Sequence, residues 1–113
     1  MTPLLRGRLP SDVEAPELGE RSEEIARIDG TVIEHIVSGN LAAPVDYDQA
    51  HDEWVVVLDG AAILQVQGEL VNLSSGDWIL LPAHVPHRLV DTLPGTRWLA
   101  LHAADRGAAD SRA

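Results

Sequence analysis

The chain has 113 residues, enough for one domain with a core of its own. Eighteen acidic against eight basic residues give a net charge of −10, which repels phosphate backbones and sets nucleic acid aside as a partner. With no cysteine, disulfides, thiolate metal sites and a thiol nucleophile are excluded. No apolar run approaches the roughly 20 residues of a membrane span and the N-terminus lacks a signal-peptide core, so a soluble cytoplasmic protein without a membrane partner is expected.

Residues 1–30 read as an N-terminal arm in which Pro10, Pro16 and Gly19 interrupt any long helix. Ser11, Asp12 and Glu14 suit a single turn, and Ile25 and Ile28 open a short strand or helix. The charge run from Glu20 to Glu24 reads as a solvated face. The arm is expected along the outside of the folded body or across a neighbouring subunit. Thr31 to Val37 alternate, with Val32, Glu34 and Ile36 on one face and Ile33, His35 and Val37 on the other, the period of a strand with one covered face. His35 is then either a hydrogen-bonded structural residue or part of a pocket.

Ser38 to Asp46 form a loop. Beyond it, Gln49, His51, Glu53, Val55 and Val57 share parity, so an unbroken strand sets three polar side chains on one face, whereas a bend after Gln49 swings His51 to the rim. Gly60 ends this strand, Ala61–Gln67 form the next, and Gln67, Gly68 and Glu69 make a tight connection to Leu70–Leu73. A turn at SSGD leads into Trp78–Leu81, four apolar residues in a row that predict burial on both faces. Pro82 and Pro86 stiffen the crossing that delivers His87 into the strand continued by Arg88–Val90. In the last strand, Arg97–His102, Trp98, Ala100 and His102 alternate with Leu99 and Leu101, and either set can face inward. Trp54, Trp78 and Trp98 all sit in strands and read as core. The body spans 31–103, followed by a mobile tail over 104–113.

Short strands with glycine-bearing turns predict an all-β antiparallel fold. The stretch from Tyr47 to Asp91 also resembles the paired signature of the cupin superfamily, G‑x5‑H‑x‑H‑x3,4‑E‑x6‑G followed by G‑x5‑P‑x‑G‑x2‑H‑x3‑N. Glu53 and Gly60 match the end of the first signature; Gly76, Pro82 and His87 match the second, with Asp91 at its Asn and His84 at its second Gly. The resemblance implies a double-stranded β-helix, or jelly-roll barrel, associated as a homodimer. It places the two histidines of the first signature on Tyr47 and Gln49 or on Asp46 and Asp48, so that motif is degenerate here.

With Glu53 and His87 at the family's ligand positions, Gln49 through its carbonyl oxygen, Tyr47 through its phenol and His51 or His35 through a ring nitrogen are the candidates to complete a metal set, taken as Gln49, His51, Glu53 and His87, around a divalent transition ion (Zn, Fe, Mn or Ni); the alternative is a cavity without metal in which Glu53 and His87 act as catalytic acid and base. Tyr47, His35, Trp98 and His102 are the expected substrate-pocket residues. Two functions follow: a cupin-type enzyme, of dioxygenase, isomerase or decarboxylase type, acting on a small molecule inside the barrel, and a metal-free binding or regulatory protein. Ser74 and Ser75 lack a G‑x‑S‑x‑G context and Gly68, Gly76 and Gly95 form no phosphate loop, which sets aside a serine hydrolase and a nucleotide-binding fold.

Overall fold

The computed structural model describes residues 2–105, and the tail expected from residue 104 falls outside this range beyond Asp105. Nine strands form two antiparallel sheets: β1 (Glu20–Ile28), β2 (Thr31–Ser38), β3 (Val45–Tyr47), β4 (Glu53–Asp59), β5 (Ala61–Val66), β6 (Glu69–Ser74), β7 (Trp78–Leu81), β8 (His87–Thr92) and β9 (Arg97–His102). The larger sheet runs β1-β2-β9-β4-β7 and the smaller β3-β8-β5-β6, the two layers of a jelly roll. Among the described residues no helix is long and apolar enough to cross a membrane.

The core lies between the layers. In β4 the run EWVVVLD alternates cleanly, with Glu53, Val55 and Val57 buried and Trp54, Val56 and Leu58 on the other side. In β9 the inward set is Trp98, Ala100 and His102, which decides the face that the sequence left open. Ile36, Leu64, Leu73, Leu81 and Leu89 complete the buried cluster, each removing apolar surface worth about 1.5–3 kcal/mol when fully covered. The Trp98 indole N–H donates to the Ser38 hydroxyl at 3.0 Å, so the largest core side chain leaves no polar atom unpaired.

The charge run Glu20–Glu24 is exposed as expected and lies in an edge strand: β1 pairs with β2 along its whole length, and its charges guard an otherwise open edge. One expectation needs correction. Trp78–Leu81 is not buried on both faces. β7 pairs only with β4, so Ile79 and Leu81 face inward while Trp78 and Leu80 stay 61% and 54% exposed on the outer surface.

Tight turns set the register. Gln67 and Gly68 both take positive φ (52° and 79°), as a two-residue hairpin connection requires. Gly60, at φ 108°, packs against the backbone and hydroxyl of the fully buried Thr96, whose side chain hydrogen-bonds Ala61 and Leu93. A Cβ at residue 60 collides with Thr96 in a conformation that L-residues avoid. Gly60→Ala is therefore expected to lower stability by about 3 kcal/mol in urea unfolding; a change under about 0.5 kcal/mol contradicts this packing.

Candidate functional site

Inward side chains of both sheets enclose a cavity of about 210 Å³ between the layers. Its floor is apolar, built from residues such as Ile36, Val55 and Leu64, and its polar groups come from strand ends that the core leaves uncovered.

β3 ends at Tyr47 and β4 begins at Glu53, so residues 48–52 form a loop and no unbroken strand carries Gln49, His51 and Glu53 on one face. Tyr47, Gln49 and Glu53 line the cavity and His51 does not. This settles the register: Tyr47 and Gln49 occupy the positions of the signature's histidine pair. Asp46 instead accepts two bonds from the Arg88 guanidinium, at 2.6 and 3.2 Å, which hold its carboxyl below the usual range.

His87 is placed by the Pro82–Pro86 crossing, which is fastened to the 48–52 loop. The Ala83 N–H donates to the Asp52 carboxylate at 2.8 Å and the His84 N–H to the Gln49 carbonyl at 2.7 Å. His84 occupies the signature's glycine position and has φ 63°, so the left-handed backbone persists at a cost of order 1 kcal/mol for a residue with a side chain. The His87 Nδ1 lies 3.4 Å from the Val85 carbonyl, a contact that fits an Nδ1–H tautomer with the Nε2 lone pair free. Tyr47 stacks on the His87 ring, centroids 5.3 Å apart and planes within 14°. Burial first, then the carboxylates of Glu20 and Glu53, push the Tyr47 phenol up to about 12, so it stays protonated as a donor.

Among the described residues, the Tyr47 hydroxyl, the Gln49 amide, the Glu53 carboxylate and the His87 Nε2 have no hydrogen-bond partner. Glu53 and His87 are 9% and 7% exposed, so what remains open of them faces the cavity they line. Four unpaired groups converging on one cavity are what a ligand-binding site requires.

Beside them runs a hydrogen-bonded chain. Asp105 contacts His51 Nδ1 at 3.2 Å, His51 Nε2 contacts His102 Nδ1 at 3.0 Å, and His102 Nε2 meets Glu34 at 3.2 Å and Glu53 at 3.8 Å. Which ring nitrogen donates at each link is set by the tautomers of the two imidazoles. His51 thus supports His102 from behind and does not line the cavity.

The sequence reading missed Glu34, whose parity with Ile36 was the available signal, and Glu20, hidden in a charge run. Glu20 accepts from the Ser38 hydroxyl at 3.0 Å, and desolvation raises its carboxyl above the ordinary value. Trp98 and His102 line the cavity as expected. His35 lies on the opposite face of β2, between Glu23 of β1 and Leu99 of β9, so its place is outside the pocket.

The donor set does not fit a tight metal centre. A protonated phenol and a neutral amide replace two imidazoles, and among the described residues no three His, Asp or Glu side chains converge as ligands. No mechanistic step is therefore routed through a metal.

A cupin-domain model matches residues 32–99, more than half of the chain, and the chain belongs to that family. A solved structure from Ralstonia eutropha JMP134, provisionally named a mannose-6-phosphate isomerase, is 35% identical over 88% of this chain and 97% of its own, with TM-score 0.77. KdgF from Halomonas sp. is 24% identical over 78% and 81%, TM-score 0.69, and a cupin-superfamily protein from Desulfitobacterium hafniense is 22% identical over 82% and 84%, TM-score 0.66. These two likenesses bear on the fold alone. No curated protein matches the chain at a significant level.

His35 gives the fold a pH dependence. It is 2% exposed with Nε2 unpaired, and burial, then the Arg97 guanidinium, push its imidazole below the ordinary value against a smaller pull from Glu23. The unfolded chain takes up the proton first, so stability held above about pH 6.5 is lost as the pH falls through that value. Thermal midpoints measured from pH 7.5 to pH 5 should fall more steeply for the wild type than for His35→Leu; parallel curves contradict this assignment.

Proposed function

We propose that the protein is a cupin-type isomerase that moves protons on a small hydroxy-carbonyl compound held between its sheets. The observation that carries this is the pair of groups on buried residues facing one cavity, the Glu53 carboxylate, which meets only His102 at 3.8 Å, and the His87 Nε2, which makes no hydrogen bond. The name of the Ralstonia protein, with 35% identity, supports the reaction class. The chain contains neither lysine nor cysteine, so a Schiff base or a thiol adduct is outside its repertoire.

In this reading the Glu53 carboxylate takes the proton from the carbon beside the carbonyl and returns it to the neighbouring carbon. His87 Nε2 takes the hydroxyl proton of the enediol-forming carbon and gives it to the former carbonyl oxygen. Aldehyde and ketone interconvert with no net loss of protons. The Tyr47 hydroxyl and Gln49 amide orient the oxygens, and the stacked phenol keeps the His87 ring from turning. The Glu34–His102–His51 chain reaches the surface at Asp105 and gives Glu53 a route for proton exchange with solvent.

Proton abstraction has a direct readout. Small aldoses and ketoses incubated in D2O with the protein should gain deuterium at the carbon next to the carbonyl, followed by NMR, and Glu53→Gln should slow this by about 10²–10⁴-fold. The exchange is expected to persist in EDTA. Activity that EDTA abolishes and a divalent metal restores would return the site to the metal-dependent reading. Binding without any exchange would leave the binding or regulatory reading.

The outer face of the larger sheet supports a homodimer. Cross-strand neighbours Leu101, Trp54 and Leu80 form one row and Leu99, Val56 and Trp78 the next, six apolar side chains with no charge among them. A chain of net charge −10 meets its own copy at least cost through an uncharged patch. Sedimentation velocity should find a dimer that Trp78→Glu/Leu80→Glu converts to monomer; a monomeric wild type contradicts the assignment.

A further inference from the structure

The charges around the cavity bear on what it holds. Three carboxylates, Glu20, Glu34 and Glu53, line it, and no arginine does; the chain has no lysine at all. Arginines near the sheets are engaged elsewhere: Arg88 with Asp46, Arg27 with Glu24, and Arg97 with Asp59, the last at 3.7 Å. Besides His87, the only basic side chain lining the cavity among the described residues is His102, which meets Glu34 at 3.2 Å and Glu53 at 3.8 Å. Phosphate recognition draws on guanidinium groups, ammonium groups, helix N-termini or glycine-rich backbone nests. None of these lines this cavity, so the phosphate in the name of the Ralstonia relative does not carry over to this chain.

The carboxylates are also too dispersed to converge on one metal ion, since among the described residues no three acidic or histidine side chains form a ligand group. A larger cation suits them better, because an ammonium on an organic frame presents three N–H donors in different directions. At about 210 Å³ the cavity is smaller than the ~300 Å³ lower bound of drug-sized pockets, which limits the guest to a small metabolite. The unpaired Tyr47 hydroxyl, Gln49 amide and His87 Nε2 are partners for hydroxyl groups. Glu53, 9% exposed and without a hydrogen-bond donor, is the acceptor most in need of one.

We infer that the cavity takes a hydroxyl-rich small carbonyl compound bearing a protonated amine, such as an amino sugar, and rejects its phosphorylated counterparts. This rests on the cavity being the substrate site. Glucosamine, glucose and glucose 6-phosphate, titrated by calorimetry and by following the His87 ring signals in NMR, differ in charge on one frame. Glucosamine should bind roughly tenfold tighter than glucose, the effect of about one charge-assisted hydrogen bond, and glucose 6-phosphate weaker than glucose. Added salt and Glu20→Gln should each narrow the gap between amine and neutral sugar. Glucosamine no tighter than glucose, a phosphate preference, or no binding by any of the three overturns the inference. If the ranking fails while the sugars still move the His87 signals, the charge argument falls and the cavity stands as the substrate site. If glucosamine binds without moving them, both fall together.

Discussion

Two cross-strand pairs turn this sandwich into a container. Glu53 of β4 stands opposite His102 of β9, and Tyr47 of β3 opposite His87 of β8, each pair at the end of its strands, beyond apolar inward residues such as Val55, Ala100 and Leu89. Antiparallel pairing fixes which side chains share a face, and a slip of one residue sends each of them to the other side. The same hydrogen-bonded ladders that bury Val55, Val57, Ala100 and Leu89 therefore decide where the carboxylate, phenol and imidazoles end up. Packing of the core and construction of the site are one constraint.

That constraint explains what could be read from the residues alone. Glu53, Gly60, Gly76, Pro82 and His87 keep the family's spacing because turns and prolines hold it, and they were legible. So was the alternation of β4, where valines face the core. β1 was not, because its alternate positions Glu20, Ser22 and Glu24 are polar and carry no apolar period. Trp78 and Leu80 misled in the opposite sense: apolar residues signal burial, yet an edge strand of a single chain leaves its outer side open. The bend at residues 48–52, which separates His51 from Glu53, depends on bonds from Ala83 and His84 thirty residues away and has no local signature.

The site sorts its polar groups into two kinds. Trp98, Ser38, Glu20 and the two linked histidines satisfy one another and so hold their positions. Tyr47, Gln49, Glu53 and His87 retain open valences directed at the same space. Each open valence can take up a hydrogen bond from a complementary molecule, a net gain of about 0.5–1.5 kcal/mol per bond. A phenol and an amide stand where the family's signature has imidazoles, so these two positions offer hydrogen-bonding groups in place of nitrogen ligands.

The N-terminal segment is stitched across Gly39, where the Pro16 carbonyl passes so closely that any side chain would collide, and Gly19 exchanges backbone bonds with Gly39 and Asn40. This seam carries Glu20 and Ser22 to the cavity wall, while His102 reaches it from beyond the other end of the span that the family model covers, residues 32–99. Excising residues 32–99 alone for recombinant work would yield a vessel with two panels missing. Boundaries drawn by similarity and boundaries drawn by the wall of the cavity do not coincide in this molecule.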